Sequence, residues 1–281
     1  DRGCAVPAAL RCTRPADVNC IARPSCGRAT RHPPLPPHQR AFCTEQTLRR
    51  YLIARKSDKA KALAMLEATL EWREAFGVDT ISAAAVRPNG ETGKVFVCGP
   101  DRAGQPVLVL RPGRENTKDD HDGNLKHLVY QLERAVGCMD EDRGVSKMTV
   151  ILDLHSYSSS NSPPMRTSRA TLDILQNHYP ERLSRFVILH APWLFYAFFK
   201  VISPFIDKVT AEKILFVRDD PKVPGHASSV VGDIVPLDRI PSSLVQPTAG
   251  AASEDDMVCC LVSLAWCSAL CAAYARVRVL L

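Results

Sequence analysis

The chain of 281 residues lacks the marks of several common enzyme classes. It contains no Cys-x-x-Cys pair and no paired Cys/His spacing, which argues against a zinc site. No Gly-rich phosphate loop and no nucleophile elbow is present, so neither a nucleotide cradle nor an activated serine is offered. No secretory signal is recognisable. Charge imbalance is missing where it would matter. The net charge of +6 comes from the two ends, whereas residues 44–256 hold 27 basic against 28 acidic side chains. A nearly neutral middle carries no electrostatic footprint for nucleic acid. Cysteine is equally scarce there. Of eleven Cys only Cys98 and Cys138 lie between residues 44 and 256, which fits a reduced, intracellular domain.

Apolar residues make up 46% of the chain and charged residues 23%, enough for a sizeable core. The stretch from Met148 to Val217 organises the rest. Three short apolar runs, Met148–Leu152, Phe186–Leu189 and Ile214–Val217, read as buried strands. The first two are separated by a helical pattern with Met165, Leu172 and Leu175 on one side. The last two are separated by Trp193 to Ile202, apolar on every helical face, with Lys200 as its only charge. Such a helix cannot sit half in water. It must be fully buried, cover an apolar ligand, or touch a membrane.

Residues 1–43 mix Arg, Pro, Cys and Ala without a period and read as a disordered or targeting segment, with an extended run at Pro33–Pro37. Thr47 to Phe76 is helical. Leu48, Tyr51 and Leu52 form one face, Ser57 or Asp58 caps a second helix, and Leu63, Leu66 and Leu70 recur after it, extended by Trp72 and Phe76. The basic cluster Arg49, Arg50, Arg55 and Lys56 reads as a solvated face or a phosphate or membrane contact. Val95–Cys98 and Val107–Leu110 form a hairpin around Gly99, Pro100, Asp101 and Gly104. Leu125 to Val136 is a helix buried along Leu125, Leu128, Val129, Leu132 and Val136. Asp153-Leu-His155 after the first central strand could be an acid/base pair, but a local cap at Asp153 and a loop role for His155 are the plainer reading. The uncharged run 257–274 reads as a membrane anchor, a packed helix or a segment without a folded role.

Strands alternating with helices imply a mixed, mostly parallel α/β sheet behind a small helical lobe. Several strings carry a more specific likeness. TLRRYLIARKSDKAKALAMLEATLEWREAFGVD, VFVCGPDRAGQPVLVLRPG, VILDLHSYSSSNSPP, NHYPERLSRFVILHAPWLF and ISPFIDKVTAEKILFV together resemble the CRAL-TRIO lipid-binding family. The resemblance covers about Thr47 to Leu244. It implies a helical amino-terminal lobe at residues 44–80 and a lipid-binding domain at 90–245, with an uncertain tail at 246–281. It further implies a sheet and helices enclosing an apolar pocket under a gate helix.

By the same resemblance, Trp193, Phe195, Phe198, Phe199, Ile202 and Phe205 belong to the gate and acyl pocket. Arg55, Lys56, Glu181, Thr210 and Lys213 match positions around a phosphatidylinositol headgroup. Met148 and Val150 stand where members that carry phosphatidylcholine have hydroxyl residues, which argues against a choline lipid. Ser156 stands where many members have Gly, and the Gly-Gly that usually closes the domain is missing after Leu244. The implied function is non-enzymatic: binding one phospholipid and transferring or presenting it between membranes. The alternative is a non-transferring sensor or scaffold, or a carrier of tocopherol, sterol or isoprenoid. Expected partners are a phospholipid, a transiently touched membrane surface, and a lipid kinase or other protein. No metal, cofactor or nucleic acid is expected. The protein would be a cytoplasmic, peripheral monomer, with 257–274 as an optional anchor.

Overall fold

A computed structural model describes residues 35–217 and 226–244. Residues 1–34 and the apolar run 257–274 lie outside the described residues, as do the expectations placed on them. The chain divides into two units between Arg49 and Arg50, inside helix α2 (Glu45–Ala54). In the first unit Pro36 is extended, with φ −53° and ψ 152°, as the proline run implies. Pro37 then opens a short helix, α1 (Pro37–Phe42), at the position where its missing N–H is not needed. No apolar period announced that helix.

The second unit is built on a five-stranded sheet with strands β1 (Val95–Pro100), β2 (Pro106–Leu110), β3 (Met148–Asp153), β4 (Leu183–Leu189) and β5 (Ile214–Val217), paired in chain order. β1 and β2 are antiparallel, and β2 to β5 are parallel. The hairpin and the three central strands therefore fall where the apolar runs place them. Around the sheet lie α3 (Lys59–Phe76), α4 (Ala83–Gly90), α5 (His121–Gly137), α6 (Met165–His178), α7 (Trp193–Ile202), α8 (Lys208–Ala211) and α9 (His226–Ile234).

The two faces of the sheet are packed differently. Val107, Val109, Ile151, Val187, Leu189 and Val217 point to a core closed by Ala227, Val231 and Ile234 of α9. Leu108, Met148 and Val150 point the other way, to Leu125, Leu128, Val129 and Leu132 of α5 and Ile174 of α6. The alternation follows from the period of two along a strand. α9 was not foreseen, because His226-Ala-Ser-Ser-Val-Val-Gly has weak helical propensity; burial against the sheet decides it. α4 escaped for a similar reason: it carries Pro88 inside and has only Val86 and Asn89 buried.

Two helical faces differ from expectation. Asp58, not Ser57, caps α3, accepting the Lys61 N–H at 3.1 Å. Leu66 and Leu70 are buried as expected, together with Ala62, Met65 and Thr69, while Leu63 is exposed. In α6 the buried residues are Thr167 and Ile174, with Ala170 and Leu175 beside them. Met165, at the first turn, is exposed.

α4 and α5 meet over a buried polar network. Lys94 Nζ donates to Glu115 Oε1 at 2.5 Å, Asn124 Oδ1 at 2.6 Å and Thr117 Oγ1 at 2.8 Å, which uses all three of its protons. Asn89 donates to the Thr117 hydroxyl at 2.8 Å and to Asp120 at 3.0 Å. His127 lies beneath this network, and a Cβ on Gly90 would come within 3.1 Å of its Nε2. Burial, followed by the nearby Lys94 charge, lowers the His127 pKa to about 4. The neutral ring is thus favoured in the folded state. Its stabilisation is complete above the unfolded value near 6.5 and declines as pH falls toward 4. His127→Gln should therefore flatten the fall in urea midpoint between pH 7 and 4, by up to about 3 kcal/mol. An unchanged pH profile would remove His127 as the cause.

Candidate functional site

The sequence Tyr179-Pro180-Glu181-Arg182 leads into β4, and each residue has a separate task. Tyr179 is buried, and its hydroxyl donates to Glu133 of α5 at 2.6 Å. Arg73 of α3 donates to both Glu133 oxygens, at 2.8 and 3.1 Å, and to Asp79 at 2.7 Å. Burial pushes the Tyr179 hydroxyl pKa well up, and the Glu133 charge adds to it, so the phenol stays a donor. Arg182 is also buried and donates to Glu141 at 2.5 Å and to the Ser146 carbonyl at 2.8 Å. Arg50 donates to the same Glu141 oxygen at 2.7 Å. Burial lowers the Arg50 pKa to about 10, helped by the Arg182 charge and opposed by Glu141.

Glu181 sits between these two inward residues with φ 58°. A non-glycine residue there costs roughly 1–2 kcal/mol. The left-handed step lets Tyr179 and Arg182 both turn inward and leaves the Glu181 side chain at the rim, half-buried. Its carboxylate faces Lys147, at 3.9 Å, so the ion pair formed here is with Lys147 rather than Lys213. Lys213 precedes β5, and its carbonyl accepts the Phe186 N–H at 2.9 Å. Because β4 and β5 are parallel with Phe186 opposite Ile214, Glu181 and Lys213 lie at the same end of the sheet.

Thr210 is in α8, whose N-cap is Asp207. The Thr210 N–H donates to Asp207 Oδ1 at 2.9 Å, and its hydroxyl donates to Oδ2. Arg55 and Lys56 follow α2. Lys56 and Ser57 are both left-handed, with φ 51° and 65°. The Tyr51 hydroxyl donates to the His178 carbonyl at 3.4 Å, which brings this end of α2 toward the turn that holds Glu181. Lys56 and Glu181, two of the five residues expected at a headgroup, carry left-handed backbone, as do Ser57, Ser156 and His190. Lys147, Arg182, Glu141 and Glu133 were missed. As isolated charges on helices and loops they gave no periodic signal.

At the other end of the parallel strands Asp153 is buried. It accepts from Arg111 Nε at 3.1 Å, pairs with His190 Nδ1 at 3.0 Å and accepts the His155 backbone N–H at 3.0 Å. Burial raises its pKa, but the His190 and His155 hydrogen bonds and the Arg111 charge outweigh that and hold it below the usual value. The Asp153–His155 acid/base pair is thus replaced by a structural one, since the His155 side chain is exposed. Gly113 closes over this loop so tightly that a Cβ would lie 2.1 Å from the His155 carbonyl oxygen.

His190 has φ 53° and turns the chain from β4 into α7. α7 is not fully buried: Phe195 is 5% exposed, whereas Trp193 is 81% and Val201 52% exposed. Its inner side packs on Leu152, Leu154 and Ile188, and Phe198 and Phe199 remain half-buried. Beneath it Leu110, Phe186, Ile214 and Phe216 are likewise only partly covered. Tyr196 stacks on Phe216, with centroids 5.5 Å apart, and Phe199 meets the same ring edge-on at 5.3 Å. Ile202 is buried at the far end of the helix. The following turn exposes Phe205, with the Arg169 guanidinium 5.6 Å from its ring and Gln176 donating to its carbonyl at 2.6 Å. Among the described residues no cluster of His, Cys, Asp and Glu could hold a metal, and no helix is long and apolar enough to cross a membrane.

A mixed sheet with an aromatic helix over its partly covered apolar face is the arrangement of a lipid-binding domain. Residues 90–228 match the CRAL/TRIO domain family model, and the chain belongs to that lipid-binding family. It is 34% identical over 200 residues to the phosphatidylinositol transfer protein PDR17 of Saccharomyces cerevisiae, a match covering 67% of this chain and 56% of the relative. It is 30% identical over 232 residues to the SEC14 cytosolic factor of Kluyveromyces lactis, covering 75% of this chain and 71% of that protein. The chain thus spans just over half the length of the first of these relatives. The crystal structure of Sfh5 superposes with a TM-score of 0.52 at 19% identity, over 62% of this chain and 65% of that one, and supports the fold.

Glu141 is the acid shared by Arg50 and Arg182. Glu141→Ala would leave those two buried cations facing each other and should cost roughly 3 kcal/mol in urea denaturation. A loss under 1 kcal/mol would show that the turn before β4 does not depend on the ion triad.

Proposed function

We propose that this protein binds one phospholipid, with phosphatidylinositol as the preferred ligand, and transfers or presents it between membranes. The observation that carries this reading is α7. It is apolar on every face apart from the exposed Lys200, it is only partly buried, and it covers a floor of side chains that stay half-exposed. Acyl chains would complete that burial, at about 0.8 kcal/mol per methylene. Its outer side, Trp193 and Val201 with Phe205 beyond, would rest on the bilayer while the gate is open.

Arg55, Lys56, Glu181, Thr210 and Lys213 are proposed for the headgroup. Arg and Lys neutralise the phosphate, and a carboxylate accepts hydrogen bonds from inositol hydroxyls. Support comes from the position of Glu181 and Lys213 at one end of the sheet. Glu181 would exchange Lys147 for the ligand cheaply, because a half-exposed pair at 3.9 Å is worth at most about 1 kcal/mol. Met148 and Val150 are buried and apolar beneath α5 and α6, which disfavours a second, choline-bearing headgroup there.

Lys213→Ala should abolish phosphatidylinositol transfer between vesicles while leaving the circular dichroism spectrum unchanged. Undiminished transfer would remove the headgroup assignment. Phe195→Asp with Phe199→Asp should reduce the amount of co-purifying lipid measured by mass spectrometry; normal loading would count against the gate. A co-purified sterol or isoprenoid in place of an inositol lipid would favour the alternative carrier.

A further inference from the structure

The loop between β3 and α6 is rich in serine: Ser156, Ser158, Ser159, Ser160 and Ser162. One of them reaches the gate at second hand. The Tyr157 ring stands edge-on to Phe195 of α7, with centroids 6.0 Å apart and planes at 84°. Behind that ring, the Tyr157 hydroxyl is hydrogen-bonded to Ser162 Oγ at 2.7 Å. The Ser158 and Ser160 hydroxyls instead bond each other at 2.7 Å, and the Ser160 carbonyl accepts from Lys118 Nζ at 3.0 Å. Ser162 is half-buried, with exposed Ser159, Ser160 and Met165 close by in sequence. It is followed by Pro163 and Pro164, and Pro164 has φ −54° and ψ 145°, the polyproline II conformation. A residue before a proline favours extended backbone, and a Ser-Pro step in a surface loop is the form in which proline-directed protein kinases take their substrates.

We propose that Ser162 is a phosphoacceptor for a proline-directed serine/threonine kinase, and that a phosphate there unfastens Tyr157 from the gate. The second half of this rests on the reading of α7 as a gate. In the transfer, Ser162 Oγ bonds to the γ-phosphorus of a nucleoside triphosphate as the β,γ-bridging P–O bond breaks. The hydroxyl proton passes to the kinase's base, and the nucleoside diphosphate leaves. The product carries a charge of about −2. It lies two residues ahead of Pro164, the N-cap of α6, where no side chain caps the helix and the first turn holds no acid. Arg166 and Arg169 follow. The helix end attracts the new charge away from the phenol. The 2.7 Å bond is lost, and Tyr157 no longer supports Phe195. The far end of the gate keeps its own ties, Gln176 to the Phe205 carbonyl and Arg169 over the Phe205 ring. Phosphorylation therefore loosens one end of the gate and speeds its opening without removing the lipid site.

The test uses the full chain, a mitogen-activated protein kinase and ATP, with the product read by tandem mass spectrometry. Phosphate should appear on Ser162 and be absent from Ser162→Ala. No phosphate at Ser162 overturns the acceptor assignment. The coupling to the gate is read without lipid, by limited chymotrypsin cleavage within Trp193–Phe199. The phosphorylated chain should be cut several-fold faster than the unmodified one, and Tyr157→Phe, which removes the same bond without adding charge, should shift cleavage part of the way. Equal cleavage of phosphorylated and unmodified chains overturns the coupling. Neither readout involves phosphatidylinositol, so a failed transfer assay leaves both standing.

Discussion

A buried guanidinium governs this domain. A guanidinium taken inside must be met by acceptors. Glu141 and the Ser146 carbonyl supply them, and the Arg182 carbonyl in turn accepts the Met148 N–H at 2.8 Å. The starts of β3 and β4 are thereby tied together at one point. The rim position of Glu181 follows from it, whereas the register of β3 on β4 shifts by one residue directly after the tie, between Met148 and Thr149. The left-handed backbone at Glu181 is tolerated because inward anchors on either side, Tyr179 and Arg182, over-determine it.

The two ends of the parallel strands divide the labour. The ends where β4 and β5 begin hold half-exposed charges, Lys147 and Glu181, weakly paired at 3.9 Å, and Lys213. Where β3 and β4 finish, Arg111 and Asp153 are buried and paired at 3.1 Å, His190 Nδ1 lies 3.0 Å from the same carboxylate, and the aromatic helix departs from there. Weak pairs can be exchanged for a ligand, whereas strong ones keep a hinge in place. Asp153 at the strand end is held by Arg111, His190 and the His155 backbone N–H, and not by the His155 side chain.

Much of this was legible in the sequence. The strands were, because each apolar run is short, β-branched and bounded by turns, and the parallel order followed from the helices between them. α7 was legible as a problem: no single-sided burial suits Trp193 to Ile202, and the structure leaves Trp193 and Val201 out of the core. For α3 the cap at Ser57 or Asp58 and the buried Leu66 and Leu70 were legible, but the exposure of Leu63 was not. α9 was hidden by serine and glycine, whose weak propensity was overridden by contact with the sheet. At the rim the residue types could be read but not their partners, since Glu181 finds Lys147 through a turn whose geometry depends on Arg182.

The sheet adds its strands in the order in which they are encoded, each pairing with the one before it. Such a sheet can grow as the chain leaves the ribosome, with no early strand waiting for a distant partner. α7 lies between the last two strands, so its two ends are brought together only when β5 docks. The helix proposed as the gate is therefore the last segment of the sheet domain to be closed into a loop during synthesis. Until then Phe195 already has Leu152, Leu154 and Ile188 to rest on, but Phe199 lacks the Phe216 ring, and the nascent chain shows that part of the helix to whatever chaperone or bilayer is nearest.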